Sequence, residues 1–163
     1  MVLKNKYLVM VTILEVDFEN EIHCNALIDL MNHYMQDEMG NHPPHTKESA
    51  LRLILGLKNH CNKICYLAVK NGEFIGLINC FISFGTFAAK PFINVHDVVI
   101  KENHRGKGIG RKLLERITEK AKEMDCCKIT LEVREDNIRA KYLYNSLGYK
   151  EGNPPMHFWT KNL

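Results

Sequence analysis

The sequence predicts an α/β protein in which a mixed β-sheet carries helices on its faces. Segments rich in β-forming residues alternate with segments whose apolar residues recur at helical spacing, in the order β-α-α-β-β-β-α-β-α-β. The chain has 163 residues, 45% hydrophobic and 25% charged, which fits one globular domain. The sequence contains neither a linker nor a repeat. We therefore expect a single domain over residues 1–163.

The first half of the chain predicts a strand, two helices and a β-hairpin. Three segments are rich in β-formers, at residues 7–15, 64–69 and 73–84. Residues 18–35 carry an apolar helical stripe, and Thr46 is suited to cap a second helix. Asn71-Gly72 is a strong signal for a tight hairpin turn between the second and third strands.

The second half predicts two more helices within the sheet order. Three further strands are predicted, at residues 92–101, 128–133 and 157–161. The helix at residues 108–124 has the clearest apolar stripe, and a short helix at residues 137–147 ends at Gly148, which suits a left-handed C-cap.

A basic, glycine-rich loop joins the strand at residues 92–101 to the helix that follows. Its glycines let several backbone N–H groups converge on one anion, and the helix N-terminus adds unpaired donors. Four cations lie where the helix dipole disfavours them by roughly 0.3–1 kcal/mol each. They are Arg105, Lys107, Arg111 and Lys112. A bound polyanion would turn this penalty into attraction, so the loop predicts a site for an anion such as pyrophosphate. Gly106, Gly108 and Gly110 match neither the P-loop nor the dinucleotide spacing.

Two motifs between residues 92 and 150 resemble those of the GNAT acetyltransferase family. The family signature Gln/Arg-x-x-Gly-x-Gly/Ala reads here Arg105-Gly106-Lys107-Gly108-Ile109-Gly110. The second motif reads Asn137, Ala140, Leu143-Tyr144 and Gly148-Tyr149. The first ninety residues carry only a compatible order of elements. The resemblance implies an N-acetyltransferase with a mostly antiparallel sheet, helices on both faces and a splayed strand pair that holds acetyl-CoA.

The resemblance also implies a role for each matched segment. Backbone contacts to the pantetheine arm and the acetyl carbonyl fall on Val98, Val99 and Ile100. The pyrophosphate contacts fall on Arg105, Gly106, Lys107, Gly108, Ile109, Gly110 and Arg111. Asn137 would contact the cofactor, although it also suits a helix N-cap. Tyr144 would protonate the departing CoA thiolate, although it also suits the apolar face of its helix.

The general base is open between two carboxylates, because direct transfer needs a neutral amine and a lysine-like amine has a pKa of ~10.4. Asp97 and Glu132 each lie in an apolar strand, where a carboxylate is costly without a partner or a role. Strand alternation places Asp97 and Val99 on one face. His96 or a water relay are further alternatives.

The acceptor is expected to be a primary amine of a small molecule. A protein N-terminus or lysine is the alternative, and a non-catalytic acyl-CoA-binding module is another. In this family the acceptor pocket is usually built by the first helices and by loops, here residues 35–46, 85–91 and 153–156. The first of these loops contains Asp37 and Glu38, which could attract a cationic amine or form an ordinary polar loop.

Charge, hydropathy and cysteine spacing limit the other partners. The net charge of +3 is too small to indicate nucleic acid, and the basic helix also carries acids. No apolar run approaches the ~18 residues that span a bilayer, and no cleavage site follows the first strand, so we expect a cytoplasmic protein. The six cysteines lack zinc spacing, so we expect reduced thiols and no metal. Dimerisation is common in the family, and the final strand offers an edge for a homodimer.

Overall fold

The computed structural model describes residues 10–163, and the chain divides into two compact units, Met1–Glu132 and Val133–Leu163. The helices and strands described in the first unit are β1 (Thr12–Glu15), α1 (Glu21–Met35), α2 (Lys47–Asn59), β2 (Lys63–Lys70), β3 (Glu73–Gly85), β4 (Lys90–Ile100), α3 (Ile109–Glu123) and β5 (Ile129–Leu131). The second unit contains α4 (Ile138–Ser146). The predicted elements up to α4 are thus confirmed in order, except that residues 7–9 of the first strand lie outside the described residues.

The five strands form one mixed sheet in the order β1-β2-β3-β4-β5. The first three pairs are antiparallel, and β4 with β5 is parallel. The α1 helix contacts β3 and β4, and α3 contacts the same two strands. The predicted mostly antiparallel sheet with helices on both faces is confirmed.

Hydrophobic burial divides between the two faces of the sheet. One cluster joins Leu27 and Leu30 of α1 to Leu67, Leu77 and Val99 of the strands. On the other face α3 buries Leu113, Leu114 and Ile117. The guanidinium of Arg116 lies 5.2 Å from the ring centroid of Tyr66 in β2, which places α3 over that face. The alternation of β2 explains this division, because neighbouring residues of a strand point to opposite faces.

Side-chain caps and the hairpin turn set the element boundaries. Asn20 accepts a hydrogen bond from the N–H of Ile22, so α1 begins three residues later than its apolar stripe predicted. Thr46 caps α2 through the N–H of Ser49, as predicted. Asn71 and Gly72 both have positive φ, 53° and 77°, the geometry that a tight two-residue hairpin requires.

The predicted final strand at residues 157–161 is wrong. The described chain contains no strand after β5, and Phe158 and Trp159 are 81% and 88% exposed. A strand needs a hydrogen-bonded neighbour, and Pro154 and Pro155 supply no N–H to a ladder. The edge that we expected for a homodimer is therefore not formed by this segment.

Candidate active site

The loop between β4 and α3 has the backbone geometry of an anion site. Gly106 and Gly108 have φ of 74° and 78°, in the left-handed region that favours glycine. Gly108 is the N-cap of α3, and no side chain of residues 10–163 caps this helix. The caps of α1 and α2, in contrast, are side-chain oxygens. Within residues 10–163, the N–H groups of Ile109 and Gly110 at the start of α3 are thus not used by a side-chain cap and can bind an anion.

The Arg105 side chain is committed to protein contacts rather than to this loop. Its Nη2 donates to Oδ2 of Asp37 at 2.7 Å, and its Nε donates to the carbonyl of Ile100 at 2.9 Å. Lys107 donates from Nζ to the carbonyl of Asn103 at 2.6 Å, and Nη1 of Arg111 lies 3.9 Å from Glu115. In the sequence, Arg105 is grouped with Lys107, Arg111 and Lys112 as a cation for the anion. In the structure, its guanidinium instead pairs with Asp37, a carboxylate outside the loop.

Asp37 organises the turn that receives Arg105. Its Oδ1 accepts a hydrogen bond from the N–H of Met39 at 3.0 Å. This bond, followed by the one from Arg105, lowers the pKa of Asp37 below its usual value. Gly40 closes the turn, because a Cβ there would clash with the carbonyl oxygen of Tyr34. The residues around this turn line a cavity of about 380 Å³: Met35, Gln36, Asp37, Glu38, Asn41, His42, Pro43 and Pro44.

The parallel strands β4 and β5 separate at the middle of β4. Their last paired residues are Val95 and Leu131, whereas β4 continues to Ile100. Beyond Val95 that edge of β4 has no strand partner in the described chain, so its backbone groups can pair with an extended ligand. The predicted splayed strand pair is present, and Val98, Val99 and Ile100 lie on its longer arm.

A β-bulge lies at the same point. Asn79 pairs with Asp97 while Cys80 pairs with Val95, so His96 is an extra residue in β4. His96 is exposed, and its ring centroid lies 5.6 Å from that of Phe81.

Each candidate base accepts a hydrogen bond from an asparagine. Asn79 donates from Nδ2 to Oδ2 of Asp97 at 3.1 Å. Asn94 donates from Nδ2 to Oε1 of Glu132 at 3.2 Å, and Glu132 is exposed. The same Asn79 amide lies 3.5 Å from Sδ of Met31 in α1, so Asp97 lies on the α1 face with Val99, as predicted. Neither asparagine was predicted as a site residue, although a lone amide in the apolar run of β3 is a signal present in the sequence.

The second unit contains the remaining two predicted site residues. Asn137 accepts a hydrogen bond at Oδ1 from the N–H of Ala140 at 3.1 Å, so it caps α4. Tyr144 is half-buried, with its ring centroid 5.9 Å from that of Tyr149. Gly148 follows α4 with φ of 87°, as predicted for a C-terminal cap.

Two negative findings apply to residues 10–163. None of their helices has the length and apolar character needed to cross a membrane. Their histidines, cysteines and acids form no group of three or more that could hold a metal ion.

Comparisons with known proteins give consistent matches. The model of the acetyltransferase (GNAT) family matches residues 27–149. The uncharacterized N-acetyltransferase YhfO of Bacillus subtilis is 29% identical over 63% of this chain and 68% of that protein. N-alpha-acetyltransferase 30 of Dictyostelium discoideum is 32% identical over 63% of this chain, and the match spans only 54% of that protein.

A solved structure shows the same fold. The aminoglycoside N-acetyltransferase AAC(6′)-Iy, bound to the bisubstrate analogue CoA-S-monomethyl-acetylneamine, superposes with a TM-score of 0.76. The superposition covers 94% of this chain and 99% of that chain at 15% identity. The fold resemblance drawn from the two motifs is thereby confirmed.

Proposed function

Because the chain belongs to the acetyltransferase (GNAT) family of acyltransferases, we propose that it moves an acetyl group from acetyl-CoA to a primary amine of a small molecule. The amine attacks directly in a ternary complex. The observation that carries this proposal is the glycine-rich N-terminus of α3, which no side chain among residues 10–163 caps and which follows a strand with an open edge. An anion site and a backbone edge in succession suit a pyrophosphate joined to an amide-containing arm.

The cofactor contacts follow from this arrangement. The backbone at Gly106, Gly108 and the first turn of α3 would bind the pyrophosphate, with the side chains of Lys107 and Arg111 beside it. The β4 edge at Val98 to Ile100 would pair with the pantetheine arm. Arg105 would contribute indirectly, because its bonds to Asp37 and Ile100 fix the start of the loop. Asn137 would contact the cofactor through its backbone while its side chain caps α4.

The chemistry needs a base, an oxyanion donor and an acid. A carboxylate, Asp97 or Glu132, takes the proton from the acceptor ammonium, and the neutral amine attacks the thioester carbon. A backbone N–H of the open β4 edge donates to the oxyanion. The C–S bond breaks, Tyr144 gives its proton to the thiolate, and the nitrogen loses its second proton as it becomes an amide, which restores the proton of Tyr144. The motif match alone supports the roles of Tyr144 and Asn137.

The acceptor is proposed to be cationic before it reacts. Asp97 and Glu132 lie at the opening between β4 and β5, and carboxylates attract an ammonium group. A small-molecule amine agrees with the aminoglycoside enzyme that shares the fold. A protein N-terminus is the second candidate, favoured by the 32% identity to N-alpha-acetyltransferase 30.

Calorimetry with acetyl-CoA tests the cofactor site. Wild type is expected to bind at sub-millimolar concentration, and Lys107→Ala to bind about tenfold more weakly, a loss of about 1.4 kcal/mol. Lys122→Ala, an exposed cation near the other end of α3, is the matched control and should bind like wild type. Dephospho-CoA and desulfo-CoA report the phosphate and thiol contributions. Absence of binding to wild type would refute the proposal.

A thiol-release assay then identifies the acceptor class. Aminoglycosides, polyamines and amino acids form one panel, and short peptides with free N-termini form the other. Release of CoA with the first panel supports the small-molecule proposal. Release with peptides alone would replace it by the protein candidate.

A further inference from the structure

Asn79 is a buried amide at a costly position. It is 2% exposed and is the one buried polar or charged residue of the described chain, lying in β3 between apolar neighbours. Its Oδ1 is buried and accepts no hydrogen bond from residues 10–163. A leucine of similar size would avoid this loss, so the amide needs a reason beyond packing.

The surroundings of Asn79 fix the orientation of its amide. Nδ2 lies 3.1 Å from Oδ2 of Asp97 and 3.5 Å from Sδ of Met31. Rotating the amide by 180° would point Oδ1 at a carboxylate and a thioether, which are both acceptors. Asn79 therefore donates to both neighbours, and it joins α1 to β4 directly beside the bulge at His96.

The two carboxylates differ in how firmly each is held. Glu132 is exposed and its donor Asn94 is half-buried, so water competes for the hydrogen bond to Glu132. Asp97 is half-buried and its donor is fully buried, and a charge-assisted hydrogen bond is stronger in such surroundings. Asp97 also precedes Val98, where the open edge of β4 begins its proposed contact with the cofactor.

We propose that Asn79 is a positioning residue that makes Asp97, rather than Glu132, the general base. This inference rests on the proposed acetyltransferase function. Asn79 holds Oδ2 of Asp97, which leaves Oδ1 to accept the proton of the acceptor ammonium. The freed nitrogen lone pair forms the N–C bond to the acetyl carbon, and the C–S bond breaks. The thiolate receives the proton of Tyr144, which is replaced by the proton that the nitrogen loses in becoming an amide.

Several titratable groups lie near Asp97. Burial raises the pKa of the Cys65 thiol in β2 to about 12, and burial also raises the pKa of Cys80 in β3, so both thiols stay neutral at working pH. On the α1 side, the uncharged Met31 lies beside the donor of Asp97, with its Sδ 3.5 Å from Nδ2 of Asn79. His96 on β4 and Glu132 on β5 are the titratable neighbours on the remaining strands, and their variants belong in the test.

The test compares Asn79→Leu with Asn94→Leu, which removes the equivalent donor from Glu132. Asn79→Leu is expected to lower kcat roughly tenfold to a hundredfold, with acetyl-CoA affinity within about twofold of wild type. The acidic limb of its kcat/KM profile should move to higher pH, because Asp97 loses a donor that stabilises its charged form. Its Tm reflects two opposing effects, because the variant removes the unsatisfied Oδ1 but also the charge-assisted bond to Asp97. Asn94→Leu should leave the profile in place.

Two further variants separate the outcomes. Asn79→Asp, which keeps the shape and adds a like charge, should move the acidic limb further. His96→Asn should leave the limb in place. The proposal is overturned if Asn79→Leu loses stability but keeps the wild-type pH profile of kcat/KM. It is also overturned if kcat falls in Asn94→Leu and Glu132→Gln instead of in Asn79→Leu.

A titration without acceptor provides an independent readout. The ¹³C shift of the Asp97 carboxyl, followed against pH, should show a higher midpoint in Asn79→Leu than in wild type. An unchanged midpoint would overturn the positioning role. This titration tests only the positioning role of Asn79. The proposed acetyltransferase function is tested separately, and it is refuted if wild type does not bind acetyl-CoA.

Discussion

The Asp37–Arg105 ion pair gives the most direct stability test of the site. The two side chains are 19% and 27% exposed, and their charged atoms lie 2.7 Å apart. Exposed pairs contribute about 0.2–1 kcal/mol, whereas breaking a buried pair costs about 3–5 kcal/mol. A half-buried pair falls between, so Asp37→Asn should destabilise the protein by about 1–2 kcal/mol. Since each kcal/mol shifts Tm by roughly 2–4 °C at this size, the expected fall is about 2–8 °C.

The pH dependence of this effect has a definite sign. The Met39 N–H bond and Arg105 lower the pKa of Asp37 in the folded protein. Its contribution to stability is therefore complete above the unfolded pKa of ~3.9 and is lost as pH falls through the folded value. The Tm difference between wild type and Asp37→Asn should be full at pH 7 and should shrink below about pH 4, because asparagine does not titrate.

Thermal melts at pH 7 and at pH 3 measure both effects. Asn retains an oxygen for the N–H of Met39, whereas its NH2 group replaces the oxygen that accepts from Arg105, so the variant removes the ion pair and keeps the bond within the turn. The matched control is Glu48→Gln, which breaks an exposed i,i+4 pair with Arg52 and should cost at most about 0.5 kcal/mol. A Tm difference below 1 °C at pH 7, or an equal difference at both pH values, would refute the reasoning.

Three further predictions concern Gly108 in the glycine-rich loop, the proposed acid Tyr144, and the thiols of Cys61 and Cys65. Gly108→Ala should cost about 1–2 kcal/mol in denaturant unfolding, because its φ of 78° disfavours a side chain although the space is open, and calorimetry should show weaker acetyl-CoA binding. Tyr144→Phe should lower kcat by roughly 10²-fold or more with little change in KM, and an unchanged kcat would leave Tyr144 a packing role only. Iodoacetamide at pH 8 should label exposed Cys61 in the native protein and Cys65 only after unfolding, since burial raises the pKa of Cys65 to about 12. Peptide mapping by mass spectrometry distinguishes the two thiols, and early labelling of Cys65 would contradict its burial.

The sequence predicted correctly those parts of the fold that depend on residues close together in the chain. Helical stripes, the Thr46 cap and the Asn71-Gly72 turn depend on neighbours within a few residues, and each matches the structure. The final strand failed because strand formation depends on a partner, which periodicity in one segment does not reveal.

The sequence could predict the candidate site only where its residues are contiguous. The loop from Arg105 to Gly110 is a single segment, so its glycines and charges were visible in the sequence. The bond from Arg105 to Asp37 joins residues 68 apart, and no local pattern connects them. The pairing of Asn79 with Asp97 likewise depends on the register of β3 against β4, which includes a bulge.

The bulge at His96 reverses the parity of β4. Before it, odd-numbered Ile93 and Val95 are buried outside the α1 cluster, whereas after it odd-numbered Val99 belongs to that cluster and Asp97 faces α1. An unbroken strand of the same sequence would turn His96 toward α1 and Asp97 toward α3. Deleting His96 would therefore leave every other side chain of β4 on its present face of the sheet. Deleting Val98, two residues further on, would instead move each later side chain of the strand to the opposite face.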